Sequence, residues 1–428
     1  MQTTSASRVT RRRTAAVLAT ALAAVLTGAL VSAPTASAGS GSGEPDITLK
    51  RWTSRHDLQQ GHNDDTRVNR RGMIRIDSPG GTKKHRGHRY DFGRWTSPWT
   101  STGFGADEII ASWNAITPKN TWIKVQLRGK QANGKRGSWD TVAYWTSDDN
   151  RIERRSMRPQ HDDYSSVRTD TVTLDGSHRY TQWKVRVVLL RPSGTRRTPK
   201  VDSVGAVASA LPSGAPATSR TTVDRRVELD VPGYSQMLHE GDYPRWDGGG
   251  EAWCSPTSTS MVLRYFDSGP TRKDYRWVKK HHTNRFVDAA ARSTYDYRYE
   301  GTGNWPFNTA YAGSFGLDAF VTRLASLRDA ERLVRAGIPV VASVGFGRGE
   351  LDGAPISATN GHLLVIVGFT AHGNPIVNDP AAHRNGDVRH VYKRRQFERA
   401  WLGGSGGVAY VIHPDRVGLP SRAGTHRW

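Results

Sequence analysis

Cysteine is almost missing: one, Cys254, occurs among 428 residues. No internal disulfide can form, so no disulfide framework holds this chain. The single thiol is then either a small inert hydrophobe or a reactive group. Acidic residues are also in short supply, 39 Asp and Glu against 61 Lys and Arg, a net charge of +22. Long apolar runs are absent beyond the first forty residues, which removes any further bilayer-spanning helix. Specific metal-ligand spacing is lacking too. His281–His282 and the group Asp379, His383, Asp387 and His390 are ligand types without a pattern, so neither a metal nor a cofactor is expected. Nucleic-acid binding would rest on charge alone, with no motif, and is not expected.

The N-terminus reads as an export signal. Arg8, Arg11, Arg12 and Arg13 precede an apolar run from Ala15 to Val31, and Ala36–Ser37–Ala38 closes it. A basic region, a hydrophobic region and a small-residue cleavage site predict a secretory signal peptide over residues 1–38. The run is short and followed by Gly/Ser-rich sequence, so secretion is favoured over a membrane anchor. Either the general or the twin-arginine route fits the arginines. The expected location is extracellular, with retention at the cell wall as one version of it. Residues 39–210 carry 30 basic and 18 acidic side chains, the remainder 27 and 21. Most of the excess charge therefore lies ahead of Cys254. It suits an anionic partner such as a wall polymer or an acidic glycan, or it serves solubility.

Residues 45–209 lack any long 3.6-residue pattern and read as β. In Thr121–Arg128, Ile123, Val125 and Leu127 share one face; in Thr181–Leu190, Trp183, Val185, Val187 and Leu189 do. Turns such as Asn133–Gly134 and Asp175–Gly176 break the runs, which predicts an all-β, jelly-roll-like sandwich. Eight of the fourteen tryptophans fall here. Tryptophan in alternating strands is mostly core, while exposed tryptophan would make this a glycan-binding module. A Pro/Gly/Ala/Ser segment from Leu211 to Ser219 marks a linker, taken as 210–224. From 225 to 428 the pattern mixes helix and strand. Helices are expected after Pro256, over Thr309–Phe315 and over Ser326–Ala336; strands over Ile338–Val344, Leu363–Val367, Pro375–Asn378 and Val408–Ile412. That order is α+β.

Cys254 sits just before Pro256, at a predicted helix start, where free N–H groups favour an anion. A thiol nucleophile needs a base, an orienter and oxyanion donors. His362 opens the apolar strand Gly361–Gly368, a rigid mount for an imidazole. Asp379, in Asn378–Asp379–Pro380, would lie near it if the two strands form a hairpin centred near Ala371. Gln236 supplies an amide upstream. Gly403–Gly407 formally matches a nucleophile-elbow pattern but follows no apolar strand, and reads as loop.

Five fragments in this order carry a resemblance: Val231–Gln236, Trp253–Thr257, Ala336–Val340, Gly361–His362 and Val377–Pro380. The chain from about 227 to 413 resembles the papain-like cysteine peptidases of family thirty-nine. The best-known members process bacteriocins by cleaving after double-glycine leaders. Together with the preceding β region, the chain looks like the secreted, two-domain actinobacterial type. The resemblance implies a papain-like fold with Cys254 as nucleophile, His362 as base, Asp379 as orienter and Gln236 as oxyanion donor. It differs from the leader-processing members in lacking a transporter region. Gln236 also precedes Cys254 by 18 residues, so Met237–Ala252 forms an inserted loop. The implied activity is hydrolysis of a peptide or protein substrate. Alternatives are an amidase or acyltransferase on wall peptides, and a non-catalytic surface-binding protein.

Overall fold

The computed structural model describes residues 43–157, 160, 161, 163–421, 427 and 428. The segment read as a signal peptide lies outside the described residues. Residues 46–210 form two antiparallel sheets. One is built around the paired strands Glu108–Ile116 and Lys200–Ala210, the other around Trp122–Lys130 and Tyr180–Pro192. Alternation works as expected in the second pair: Ile123, Val125, Leu127, Trp183, Val185, Val187 and Leu189 are all buried. The sheets meet through Trp52, whose ring lies 5.8 Å from Trp95 and 5.9 Å from Trp183, both edge-to-face. Six of the eight tryptophans of this half are buried core. Trp99 and Trp139 are the other two; they lie half-buried beneath Lys184, Arg136 and Arg186.

The second half is mixed. Its antiparallel sheet runs in the order Asp318–Arg323, Val408–His413, Val340–Phe346, Thr359–Phe369, Pro375–Asn378 and Arg389–Val391. Against it lies the helix Cys254–Tyr265, buried without interruption from Ser255 to Leu263. The helix expected over Thr309–Phe315 spans Trp305–Gly313 instead. Its start is fixed by the Asn304 side chain, which accepts from the Phe307 N–H at 3.1 Å, with Pro306 in the first turn. The strand Asp318–Arg323 has no counterpart in the sequence reading.

The two halves share one apolar core. Phe307 packs 6.3 Å from Trp113 and 5.3 Å from Trp145. Asn114 acts like a piece of strand on the edge of the second half's sheet. Its Nδ2 donates to the Ala319 carbonyl at 2.8 Å and its Oδ1 accepts from the Ala319 N–H at 3.2 Å. Arg51–Asp318 and Arg323–Glu108 are ion pairs across the same seam. Asp296 accepts from the Ser156 N–H of the first half, and from the Arg298 and Tyr299 N–H groups and Asn304 of the second.

The segment read as a loose linker is held down at its far end. Glu398 accepts from the Ser219 N–H at 2.8 Å, and Glu331 accepts from Thr221 Oγ1 at 2.6 Å and from the Thr222 N–H at 2.8 Å. Arg394, 2.7 Å from Glu331, also donates to the Ser219 carbonyl. Composition gave no sign of this, because the anchoring carboxylates lie more than a hundred residues downstream.

Candidate active site

Cys254 is the first residue of its helix, two residues ahead of Pro256. The preceding Trp253 is fully buried, and its Nε1 donates to the Trp246 carbonyl at 2.7 Å. One turn along, Ser258 Oγ donates to the Leu363 carbonyl at 3.0 Å. That bond seats the helix on the strand at the residue next to His362, and it brings thiol and imidazole together. Ser255, at 2.9 Å from the Tyr410 hydroxyl, ties the same turn to the strand Val408–His413.

His362 lies inside the strand Thr359–Phe369, opposite Val344, and is 3 % exposed. Its Nε2 is 2.7 Å from Asp379 Oδ1. The hairpin that joins them turns at Thr370–Asn374, where the Thr370 N–H donates to the Asn374 carbonyl at 2.9 Å. Its register pairs Val365 with Asn378 and Phe369 with Pro375, with a shift between Ile366 and Gly368. One step further, Asp379 stands opposite Leu364 and therefore diagonal to His362 on one face. The centre is displaced by one residue from Ala371, and the diagonal still meets.

The Asp379 carboxylate is fully buried and satisfied. Besides His362 it accepts from the Ala381 N–H at 3.0 Å and from the Tyr392 hydroxyl at 2.9 Å. Burial opposes its charge, but His362 and these donors outweigh burial and hold its pKa below 3.8. Burial likewise opposes charge on His362. The charge and hydrogen bond of Asp379, joined by a hydrogen bond to Cys254, raise the imidazole from its ordinary 6.5 to about 10. With Nε2 on Asp379, the nitrogen left for the thiol is Nδ1. Tyr392 was not singled out from sequence. An aromatic three residues beyond the edge strand's first residue carries no distinguishing signal.

Gln236 begins a short 3-10 turn, Gln236–His239, packed against Gly250–Ala252 just ahead of Cys254. Its Nε2 donates to the Glu251 carbonyl at 2.6 Å, which leaves the second amide proton free. The inserted segment is therefore folded back so that Gln236 is bonded to the turn just ahead of Cys254. Tyr299 is half exposed, and its hydroxyl is raised above the ordinary 10 by local desolvation first, then by the charges of Asp247 and Asp170 and by Cys254. Asp170 comes from the β half and accepts from the Trp305 N–H at 3.0 Å, at the start of the helix Trp305–Gly313. The first half thus reaches into the neighbourhood of the thiol, which no sequence pattern signalled.

Residues grouped only by type part company. Asp379 goes to His362, while Asp387 pairs with Arg384 at 2.9 Å. Ser405, in the glycine-rich Gly403–Gly407, donates to the Ser343 carbonyl at 2.6 Å and is structural.

Comparison with known families gives two matches. Residues 48–209 match the Peptidase C39 N-terminal domain, and residues 228–407 match the Peptidase_C39 like family. The second span contains Gln236, Cys254, His362, Asp379 and Tyr392. No curated protein matches the chain. The two matches, adjacent and in this order, support a C39-like two-domain protein.

Proposed function

We propose that this chain is a secreted cysteine peptidase with a papain-like catalytic half. The observation that carries the reading is His362, bonded through Nε2 to a buried Asp379 and electrostatically coupled to Cys254. An imidazole beside a thiol at a helix start is the pairing that a cysteine nucleophile requires. Cys254 Sγ attacks the scissile carbonyl, and the oxygen takes up the negative charge. The Cys254 N–H, which has no intrahelical acceptor, and the spare Gln236 amide proton are the donors that receive it. His362 passes its proton to the leaving amine, and a thioester remains on Sγ. Water, losing a proton to His362, then releases the acid and restores the thiol. Asp379 keeps its charge throughout and fixes the ring. Mass spectrometry of peptide and wall-fragment mixtures tests the reading. New termini should appear with wild type and not with Cys254→Ala. An unchanged mixture under reducing conditions would overturn it.

The β half serves as the tether in this reading, holding the enzyme to an anionic polymer or glycan of the cell envelope. The supporting observation is a basic face on the second sheet, where burial first, then Lys83, Arg186 and Arg94, press Lys124 down to about 8. Trp139 lies in that face with the Arg186 guanidinium 3.8 Å from its ring centroid. Binding to purified walls that fades as salt rises supports the tether. No binding at low salt removes it.

A further inference from the structure

A second polar cluster stands apart from Cys254, and the inserted segment builds it. His239 closes the turn that Gln236 begins, and Asp242 follows three residues later. Asp288 lies in the first turn of the helix Phe286–Thr294, and His282 lies just ahead of that helix. His239 Nδ1 is 3.2 Å from Asp288 Oδ2 and 3.7 Å from Asp242 Oδ2. The ligand atoms of His239, Asp242 and Asp288 all lie within 4.8 Å of one another. His282 Nδ1 sits 3.0 Å from Asp242 Oδ2 and 2.9 Å from Asp288 Oδ1.

These separations bracket the spacing of ligands around one ion. With metal–ligand bonds of about 2.0 to 2.2 Å, tetrahedral ligand atoms stand about 3.3 to 3.6 Å apart. Hydrogen bonding alone does not account for the cluster. His239 is fully buried, and neither ring nitrogen has a hydrogen-bond partner among the described residues; the buried Asp288 Oδ2 has none either. Native interiors rarely leave such groups unmade. A divalent cation among them satisfies His239 Nδ1 and Asp288 Oδ2 at once, and two carboxylates balance its charge. The surroundings are largely aromatic: Tyr243 lies 5.3 Å from His282 and Trp253 5.8 Å from His239.

We propose that His239, Asp242, Asp288 and His282 bind one divalent transition-metal ion, with zinc the best match to two imidazoles and two carboxylates. All four positions are filled by protein, so the ion is structural. It clasps the insert between Gln236 and Cys254 to the helix Phe286–Thr294. The site contains no thiol, so its existence does not depend on Cys254 being a nucleophile.

The test uses the full chain purified without a histidine tag. Elemental analysis and zinc titration against a colorimetric chelator should give one equivalent per chain, retained in Cys254→Ala. Chelation should lower the melting temperature, and zinc should restore it. His239→Gln should weaken zinc binding by about 100-fold or more, a larger loss than the 10- to 100-fold known for groups behind the ligands. Because a buried variant can fail to fold, Asp242→Asn, at the partly exposed position, provides the second arm. It should stay folded by circular dichroism and bind zinc at least tenfold more weakly. Sub-stoichiometric zinc in wild type, zinc lost with Cys254→Ala, or unchanged affinity in a folded Asp242→Asn would each overturn the site.

Discussion

At the scale of single residues, His362 is the group on which the proposed chemistry turns, and each of its neighbours should have a separable effect. Cys254→Ala should abolish turnover, since no other thiol exists in the chain. His362→Ala should be nearly as severe and should slow alkylation of Cys254. Asp379→Asn keeps the shape of the bond and loses its charge, so its loss should be smaller than that of His362→Ala. Gln236→Ala removes one of the proposed oxyanion donors, and the expected loss in kcat is roughly 100- to 1,000-fold by comparison with other acyl-transfer sites. Full activity in Gln236→Ala would remove only the oxyanion assignment; full activity in His362→Ala would remove the mechanism. The imidazole also sets a pH dependence of stability. Its pKa is raised in the folded chain from 6.5 to about 10, so its contribution is complete below 6.5 and lost as pH rises through 10. Urea midpoints of wild type and His362→Ala should therefore converge between those limits. A constant gap across that window would show that the charge is not held. The meeting of His362 with Asp379 was legible in the sequence because polar side chains at the ends of apolar segments are conspicuous. Tyr392 was not, since an aromatic that donates to a carboxylate looks like any core aromatic until the hairpin and the edge strand close.

At the scale of elements, strongly patterned segments were readable, and those defined by distant partners were not. Leu327–Arg335 carries a clear apolar stripe and Pro375–Asn378 is a short apolar run bounded by turn residues, and both formed where expected. Asp318–Arg323 went unread because its partner strand, Val408–His413, lies about ninety residues on. The linker shows the same limit. Its composition predicts a tether, but Glu331 and Glu398, both buried, fix its backbone from Ser219 onward. Arg220 between these anchors is exposed, yet a protease must lift the segment to reach its peptide bond. Trypsin should therefore cut wild type slowly there. Glu331→Ala frees Thr221 and Thr222 and leaves Arg394 with an unpaired, buried charge, at a cost of about 3–5 kcal/mol. Cleavage after Arg220 should then be faster by roughly tenfold or more, since release of the strap no longer breaks those bonds. Equal rates in the two proteins would mean that the strap is passive.

At the scale of the molecule, the seam between the halves decides how the chain behaves. Phe307 is buried and packs on Trp113 and Trp145, so separating the halves exposes three large aromatic surfaces. It also takes from Asp318, Arg323 and Asp296 their first-half partners Arg51, Glu108 and Ser156. An unpaired buried charge is costly, and the Asp296 loop leads through Tyr299 towards Cys254. The two family spans are thus separate in sequence and continuous in packing. Wild type should unfold in one transition, with tryptophan fluorescence, dominated by the β half, and loss of activity coinciding in urea. Asn114→Ala is the sharpest probe, because it deletes both bonds to Ala319 and touches neither Cys254 nor His362. Loss of two buried hydrogen bonds should destabilise by about 1–3 kcal/mol, shifting both midpoints together. Residues 225–428 expressed alone should aggregate or lose activity. Two separated transitions, or full activity in the isolated second half, would show that the seam is an accessory contact.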